Sequence, residues 1–200
     1  MHPLVAEHLA RATSGPVLDL GGGTGHLAGL LAARSIPTVV VDNASHLSGS
    51  VGSAVRADAR HLPFPDATFP AAAALWMLYH LADPHEALGE LHRVLRPGSL
   101  LGVCASSRTN DPELAHVLPG WGRQSSFDAE DAAEIVGRTF HVVDVMRWDA
   151  PLVHLPDRTA IELFLRGRGL SETDAHHEAG KLPAPLEVTK RGALVWSRRL

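Results

Sequence analysis

A glycine-rich turn with a leading carboxylate is the most chemically informative segment of this 200-residue sequence. Residues 19–25 read Asp-Leu-Gly-Gly-Gly-Thr-Gly, a D-x-G-x-G-x-G run between an apolar stretch and a segment with leucines at helical spacing. Glycine lets the backbone pass close to a ligand, and the free N–H groups of a helix start favour electronegative groups. The run therefore predicts a ligand site. Residues 23–28 also satisfy the looser G-x-G-x-x-A form of a dinucleotide site, so the turn alone leaves the nucleoside cofactor open.

Two further carboxylates follow apolar runs, Asp42 after residues 36–41 and Asp58 after residues 54–57. In an open α/β sheet, ligands bind at the carboxyl ends of the strands. We expect Asp42 to accept from ribose hydroxyls and Asp58 to accept from an adenine amino group, with the N–H of Ala59 donating to a ring nitrogen. Together with Asp19, this pattern favours a ligand with one adenosine and a zwitterionic tail.

Alternating strands and helices must position these groups. Nearly all-apolar runs at 16–20, 36–41, 54–57, 71–77 and 99–106 predict strands of a parallel sheet that is covered on both faces. Helices are expected from residue 26 and over residues 84–95. Beyond residue 106 we expect an irregular stretch, a helix capped by Asp128, a strand from residue 141, two helices, and a strand-like end. Lys190-Arg191-Gly192 is interpreted as a hairpin turn, and the whole chain as one domain.

The amino-acid composition and net charge exclude several classes of protein and of binding site. A 45% hydrophobic and 20% charged content is typical of a globular chain, and a net charge of −4 gives no general attraction to nucleic acid or anionic membranes. The single cysteine, Cys104, excludes an intramolecular disulfide and a cysteine-rich zinc site, and we expect it to be buried. No apolar run approaches the ~18 residues of a membrane span, and the first residues lack a signal peptide's apolar stretch. A cytoplasmic location is therefore expected.

Four segments together resemble one family. They are VLDLGGGTGHLAGLLA, TVVVDNAS, VRADARHLPFPDATF and MLYHLADPHEALGELHRVLRPGSLLGV. From about residue 15 to residue 105 the chain is similar to the small class I S-adenosylmethionine-dependent methyltransferases, in particular the group with the ubiquinone and menaquinone C-methylases and many natural-product enzymes. The resemblance implies an α/β fold, a single Rossmann-like doubly wound sheet of seven strands in the order 3-2-1-4-5-7-6, with strand 7 antiparallel.

The resemblance also implies where S-adenosylmethionine binds. The methionine part is assigned to one acid and three glycines of the turn: Asp19, Gly21, Gly23 and Gly25. Asp42 is expected to bind the ribose with Asn43 beside the nucleoside, Asp58 and Ala59 to contact the adenine, and the backbone of Leu75 to meet the amino-acid end. Two departures from the family are the proline at position 70, expected to alter the start of strand four, and the short glycine-rich segment between strands two and three, expected to leave that wall of the pocket mobile.

Methyl transfer requires positioning and water exclusion more than acid–base chemistry. A general base is needed only when the acceptor is a phenol, an alcohol, an acidic carbon or a protonated amine. His80 is the candidate base because it lies just after strand four, in the loop that borders the methyl group in this family. Tyr79 is the alternative, as a residue that orients the acceptor. No metal or redox cofactor is expected.

The acceptor-binding part is expected in two stretches, about 107–126 and 148–185, beside the cofactor-binding half at about 15–105. Four side chains are candidates for its pocket: Trp121, Trp148, His154 and Arg158. Most of the thirteen histidines, including the pair His85 and His92 and the pair His176 and His177, are interpreted as solvated helix surface rather than metal ligands.

Alternatives remain at this point. A nicotinamide-dependent reductase fits the G-x-G-x-x-A run, but Tyr79 is the sole tyrosine and both lysines are near the C-terminus, so no catalytic tyrosine–lysine pair is recognisable. A catalytically silent subunit that binds S-adenosylmethionine is a second alternative. The net charge disfavours an RNA acceptor, and the partner expected is a small-molecule acceptor. The sequence also leaves a homodimer open.

Overall fold

The computed structural model describes residues 1–43 and 53–200, so the short glycine-rich segment between strands two and three lies outside the described residues. One sheet contains seven strands: β1 Val17–Leu20, β2 Thr38–Asp42, β3 Ser53–Arg56, β4 Phe69–Leu75, β5 Leu95–Ser106, β6 His141–Leu155 and β7 Leu186–Arg198. Their order is β3-β2-β1-β4-β5-β7-β6. Strands β1 to β5 pair in parallel, and β7 is antiparallel to both β5 and β6. The predicted fold class and strand order are confirmed.

Six α-helices accompany the sheet among the described residues: α1 His2–Ala12, α2 His26–Ala32, α3 Pro84–Val94, α4 Ala132–Gly137, α5 Arg158–Gly167 and α6 Glu172–Ala179. Helices α1 and α2 pack on one face of the sheet, where Leu9 and Leu31 join a core with Val17. Helices α3 and α4 pack on the other, where Leu88 joins a core with Leu18. Adjacent residues of β1 thus enter opposite cores, as strand geometry requires.

Helix α1 was not anticipated from the sequence, and helix α4 begins later than predicted. Asp128 does not cap α4 with its side chain, because its carboxylate accepts from the Ser125 N–H at 2.9 Å and the Ser125 hydroxyl at 2.6 Å. The helix begins at Ala132 instead, and the Ala132 N–H donates to the backbone carbonyl of Asp128 at 2.9 Å. The loop before α4 therefore uses the Asp128 carboxylate to fix its own conformation.

The β6–β7 pair differs from the expected pattern at two places. Residues 148–155, expected in the acceptor-binding part, form the second half of β6. Residues 190–192 lie inside β7 and not in a hairpin turn, so that interpretation is wrong. Gly192 pairs with Ser106 and Trp148, and a Cβ at this position would overlap the indole of Trp148. The glycine is thus required by packing against an aromatic ring.

A smaller apolar core lies under α5 and α6 and contains Leu114, Ile161, Leu165, Leu186 and Val188. It joins the loop after β5, the two helices and the start of β7. Asp157 caps α5 by accepting from the Ala160 N–H at 2.8 Å, which sets where this helix begins. This core positions the end of α5 beside the loop that follows β5.

Three further expectations from the sequence concern Pro70, Cys104 and membrane-spanning helices. The β4–β5 register shifts between Phe69 and Ala71, so Pro70 does alter the start of β4 as expected. Cys104 is buried, as predicted. Within residues 1–43 and 53–200, none of the helices has the length and apolar character needed to cross a bilayer.

Candidate functional site

A cavity of about 450 Å³ opens where β1, β2, β3 and β4 end. Six of the residues assigned from the sequence line it: Gly21, Asp42, Asn43, Asp58, Ala59 and His80. Trp76, Met77 and Leu81 complete one wall. The strand ends thus bring together residues that are far apart in the chain, as parallel topology requires.

The glycine turn adopts the backbone that its sequence predicts. Gly21, Gly23 and Gly25 have φ values of 69°, 53° and 83°, a region in which other side chains are strained. The Gly21 N–H donates to the Val41 carbonyl at 2.7 Å, and the Gly23 N–H donates to the Asp42 carboxylate at 3.0 Å. The turn is therefore held against the end of β2, and Gly25 then begins α2.

Asp19 carries an unusual carboxylate beside this turn. Its side chain is 2% exposed, and its buried Oδ2 has no hydrogen-bond partner among the described residues. A Cβ at Gly22 would overlap that carboxylate, so only glycine lets the turn close over it. Burial, together with the nearby charge of Asp42, raises the pKa of Asp19 to about 7. A buried acceptor without a donor is costly unless a cation or donor meets it, so this carboxylate suits a positively charged ligand.

Asp58 has a partner that the sequence analysis missed. The guanidinium of Arg60 contacts both of its oxygens, with Nη2–Oδ2 at 2.7 Å and Nε–Oδ1 at 3.0 Å, and the Arg60 N–H donates to Oδ1 at 2.9 Å. These hydrogen bonds hold the pKa of Asp58 well below its usual range. Arg60 thus keeps the carboxylate ionised and oriented at the cavity wall. Its spacing of two residues is a local signal that could have been recognised.

Trp76 and the N-terminal helix cover one side of this cavity. Trp76 directly follows β4 with a φ of 53°, and its N–H donates to the Cys104 carbonyl at 3.0 Å. Its ring lies 5.1 Å from the ring of His2, which in turn lies 4.7 Å from His26 at the start of α2. Burial, followed by the nearby charges of His26 and the N-terminal amine, lowers the pKa of His2 to about 4. The neutral imidazole therefore packs against the cavity wall at physiological pH.

A second cavity of about 270 Å³ lies on the other side of the turn formed by residues 78–80. His80 lines the first cavity and Tyr79 lines the second, and their rings are 4.3 Å apart. Ser126 stabilises this partition, because its hydroxyl donates to the Leu81 carbonyl at 2.6 Å. The two cavities therefore share a wall that carries the predicted base and the predicted orienting residue.

The chain is similar to known proteins in sequence and in structure. A family model described as "Methyltransferase domain" matches residues 18–103. The chain is 30% identical, over 185 residues, to the ubiquinone/menaquinone biosynthesis C-methyltransferase UbiE of Escherichia coli O1:K1, covering 80% of this chain and 68% of that protein. This chain belongs to the class I S-adenosylmethionine-dependent methyltransferases. The predicted family is therefore confirmed, in the group related to UbiE.

Two other known proteins are similar to this chain, one in sequence over part of its length and one in structure. The UbiE protein of Ralstonia nicotianae is 34% identical over 134 residues, which cover 57% of this chain and 55% of that protein. The chain thus spans about half the length of that curated relative. The solved structure of the YcgJ protein from Bacillus subtilis superposes with a TM-score of 0.73 at 17% identity, covering 99% and 97% of the two chains. At that identity the likeness shows the shared fold.

Four of the predicted cofactor residues line neither of the two cavities: Asp19, Gly23, Gly25 and Leu75. Leu75 is the buried last residue of β4, next to Trp76. Of the four acceptor candidates, Trp121 lines the second cavity. Trp148 packs against Gly192, His154 is hydrogen-bonded to Glu187 on the β6–β7 pair, and Arg158 donates to the Gly180 carbonyl at 3.3 Å.

The histidines on helix surfaces have ordinary neighbours. His176 lies 2.9 Å from Glu162, and the ring of His92 packs edge-on against Phe140. In the part of the chain that the structure describes, no three His, Cys, Asp or Glu side chains cluster as metal ligands. These contacts account for the two histidines as structural residues.

Tyr79 offers a direct spectroscopic test of the second cavity, since it is the single tyrosine of the chain. Burial raises the pKa of Tyr79, while the positive charge of Arg168 acts against that increase. An alkaline absorbance titration of tyrosinate should therefore show a midpoint above the ordinary value of 10.0. Arg168→Gln should move the midpoint higher still, because it removes a charge that favours the phenolate. Arg166→Gln on the same helix is the control, and an equal shift in both variants would contradict the proximity of Arg168.

Proposed function

We propose that this protein transfers a methyl group from S-adenosylmethionine to a small-molecule acceptor. The observation that carries the proposal is a cavity of about 450 Å³ lined by Gly21, Asp42 and Asp58, next to a glycine turn over the buried Asp19, whose Oδ2 has no hydrogen-bond partner among the described residues. S-adenosylmethionine combines a zwitterionic amino-acid end with an ammonium group, a ribose diol and an adenine amino group. The three carboxylates match those three features, and the cavity lies within the common size range of cofactor sites.

Each residue then has a separate task. The Asp19 charge would attract the ammonium group of the ligand, Asp42 would accept from the ribose hydroxyls, and Asp58, held by Arg60, would accept from the adenine amino group. Gly21, Gly23 and Gly25 give the backbone its close approach, Asn43 and Ala59 lie beside the nucleoside, and the backbone of Leu75 would meet the amino-acid end. When bound, S-adenosylmethionine supplies a sulfonium methyl group; the acceptor's lone pair forms the new bond as the S–CH₃ bond breaks, leaving the electron pair on sulfur and S-adenosylhomocysteine as product.

The remaining roles are those of the base and of the residue that orients the acceptor. Both fall on the turn of residues 78–80, where the two cavities adjoin. We propose His80 as the base that takes the proton lost by an acidic acceptor, because its side chain lies at the cavity that holds the cofactor and next to Tyr79. Tyr79 would orient the acceptor in the second cavity. The acceptor-binding elements are then residues of the stretch 107–126 with part of the stretch 148–185, in one domain with the cofactor-binding half. The cytoplasmic location and the homodimer stay predictions.

Replacement of His80 tests its role as a base. His80→Gln should lower kcat by about tenfold or more, since positioned proton transfer contributes about 10²–10⁴-fold where it is required. The Kd for S-adenosylhomocysteine should stay within about twofold, because the exposed His80 ring forms one edge of the cavity. His85→Gln, a half-buried residue of α3 that lines neither cavity, is the control. An unchanged kcat for an acidic acceptor would remove the base role.

Calorimetric titration tests the function itself. S-adenosylmethionine and S-adenosylhomocysteine should both bind, and reduced nicotinamide dinucleotides should not compete. Absence of binding of both ligands at millimolar concentration would overturn the proposal, and tight binding of a nicotinamide cofactor would favour the reductase alternative. Binding without transfer to any acceptor in a broad panel would favour the silent subunit.

A further inference from the structure

The second cavity combines aromatic walls with a single cation. Tyr79, Trp121 and Phe127 line it together with hydroxyl groups such as that of Ser106. Of the described residues that line this cavity, Arg168 is the one with a positively charged side chain. A pocket of this composition recognises a flat apolar framework through its walls and orients it through a few polar groups.

Arg168 is held in place by a buried acid. Its Nη2 lies 2.5 Å from Oδ2 of Asp111, whose other oxygen pairs with Lys190 Nζ at 2.5 Å. Asp111 is 2% exposed, so one buried carboxylate pairs with two cations, and the charge of Glu113 also acts on Lys190. The guanidinium of Arg168 also stacks over the ring of Phe164, 5.2 Å from its centroid. The orientation of Arg168 is therefore set before any ligand binds.

The backbone at Asp111 shows that this arrangement is specifically built. Asp111 has φ 60° and ψ 53°, a left-handed conformation that is strained for most residues with a side chain, although aspartate tolerates it better than most. Its N–H donates to the Thr189 carbonyl at 3.1 Å, and Glu113 accepts from the Thr189 N–H at 3.0 Å. Loop and strand β7 thus hold the Asp111 carboxylate under Arg168.

The opposite wall of the cavity carries one acid, Asp128. Asp128 accepts from the N–H and hydroxyl of Ser125 and pairs with Arg108 Nε at 3.3 Å. Glu130 and Asp131 also pair with Arg108 and do not line the cavity. Arg168 is therefore the one group of this lining that suits an anion, and its partner Asp111 is shared with a second cation, Lys190.

We propose that the methyl acceptor is a small aromatic carboxylate, with its carboxylate on Arg168 and its nucleophilic substituent toward Tyr79 and His80. This inference rests on the proposed function and names its substrate class. The planar guanidinium fork matches a carboxylate with two parallel hydrogen bonds, which an uncharged carboxamide cannot reproduce. The aromatic side chains of the cavity supply the surface against which a ring packs.

The test compares 4-hydroxybenzoate with 4-hydroxybenzamide, a pair that differs in charge and little in shape. Each is titrated calorimetrically into the full chain saturated with S-adenosylhomocysteine. The carboxylate should bind at least about tenfold more tightly, since a charge-assisted pair contributes about 1.5–3 kcal/mol. Arg168→Gln should abolish this difference, Arg168→Lys should retain part of it, and Arg166→Gln should retain all of it. Equal affinity of the two probes for the wild-type protein, or no binding of either, would overturn the inference.

Tyr79 gives a second readout that does not depend on turnover. Bound benzoate, which has no phenol of its own, should raise the tyrosinate midpoint of Tyr79 in the wild-type protein, because its carboxylate neutralises the charge of Arg168, and should have no such effect in Arg168→Gln. Binding of S-adenosylhomocysteine with no carboxylate preference would contradict this inference and leave the proposed function standing. Failure of S-adenosylhomocysteine to bind would contradict the proposed function, and with it the assignment of the second cavity to an acceptor.

Discussion

The Asp19→Asn variant is expected to melt at a higher temperature than the wild-type protein above pH 7 and to bind S-adenosylmethionine at least about 100-fold more weakly. The stability gain follows from the pKa of about 7 in the folded protein, against an ordinary value of 3.8. Between these two values the folded state holds a proton that the unfolded state has lost, so stability falls as pH rises through this window. The full cost, up to about 4 kcal/mol, is present above pH 7, and the neutral amide avoids it.

The expected loss of affinity for S-adenosylmethionine in Asp19→Asn also follows from the burial of this carboxylate. The buried Oδ2 of Asp19 has no hydrogen-bond donor among the described residues, so the carboxylate offers an acceptor and a negative charge to a cationic ligand. The asparagine amide carries no charge. Cofactor affinity of the wild-type protein should therefore weaken as pH falls below about 7, where Asp19 takes up a proton. The affinity of Asp19→Asn should lack that dependence.

Calorimetric titration and thermal melting from pH 4 to pH 9 measure both effects. Asp144→Asn, an exposed carboxylate on β6, controls for the loss of one negative charge. A lower melting temperature of Asp19→Asn at pH 8 would show that the carboxylate makes stabilising contacts and would contradict its assignment as a ligand group held at a cost in stability.

The Asp42→Ala variant should lose about 100-fold in affinity for S-adenosylmethionine while remaining folded. A carboxylate that accepts from ribose hydroxyls makes charge-assisted hydrogen bonds, and their loss is expected to cost about 3 kcal/mol. The same variant removes the charge that helps to raise the pKa of Asp19. The pH at which cofactor binding weakens should therefore move to a lower value, a coupling that a purely local contact would not produce.

Asp42→Asn separates the two roles of this side chain. The amide oxygen can still accept from the Gly23 N–H, which Asp42 binds at 3.0 Å, so the glycine turn should stay in place. Affinity should then fall less than in Asp42→Ala, and calorimetry at several pH values measures the difference. Loss of soluble protein in both variants would instead mean that Asp42 is needed for folding.

The cofactor side of this protein was predictable because its signals are local. Short strands place Asp19 near the end of β1, Asp42 at the end of β2 and Asp58 just after β3, and parallel topology then brings those ends together. The early turn residues are equally readable, because a positive φ restricts the choice to glycine. Strands β1 to β5 and the glycine turn can therefore be predicted with little information on contacts between distant parts of the chain.

The acceptor side was less predictable because it depends on contacts between distant parts of the chain. The pairing of Asp111 with Arg168 and Lys190 spans residues from the loop after β5, the end of α5 and β7, and no spacing rule connects them. Gly192 was misread as a turn residue because the ring of Trp148, 44 positions earlier, is what requires it. Helix α1 was missed because its apolar positions have meaning only through packing on α2 and β1.

The reversed order of the last two strands determines when each half of the protein can assemble. β6 lies outside β7 and joins the sheet through it, although β6 comes earlier in the chain. Since synthesis proceeds from the N-terminus, β1 to β5 can pair while β6 still lacks its neighbour. The five parallel strands can therefore form a sheet on the emerging chain before the second cavity exists. Strand β7 then completes both the sheet and the support of Arg168. Early binding of S-adenosylmethionine would then favour productive maturation of the nascent chain.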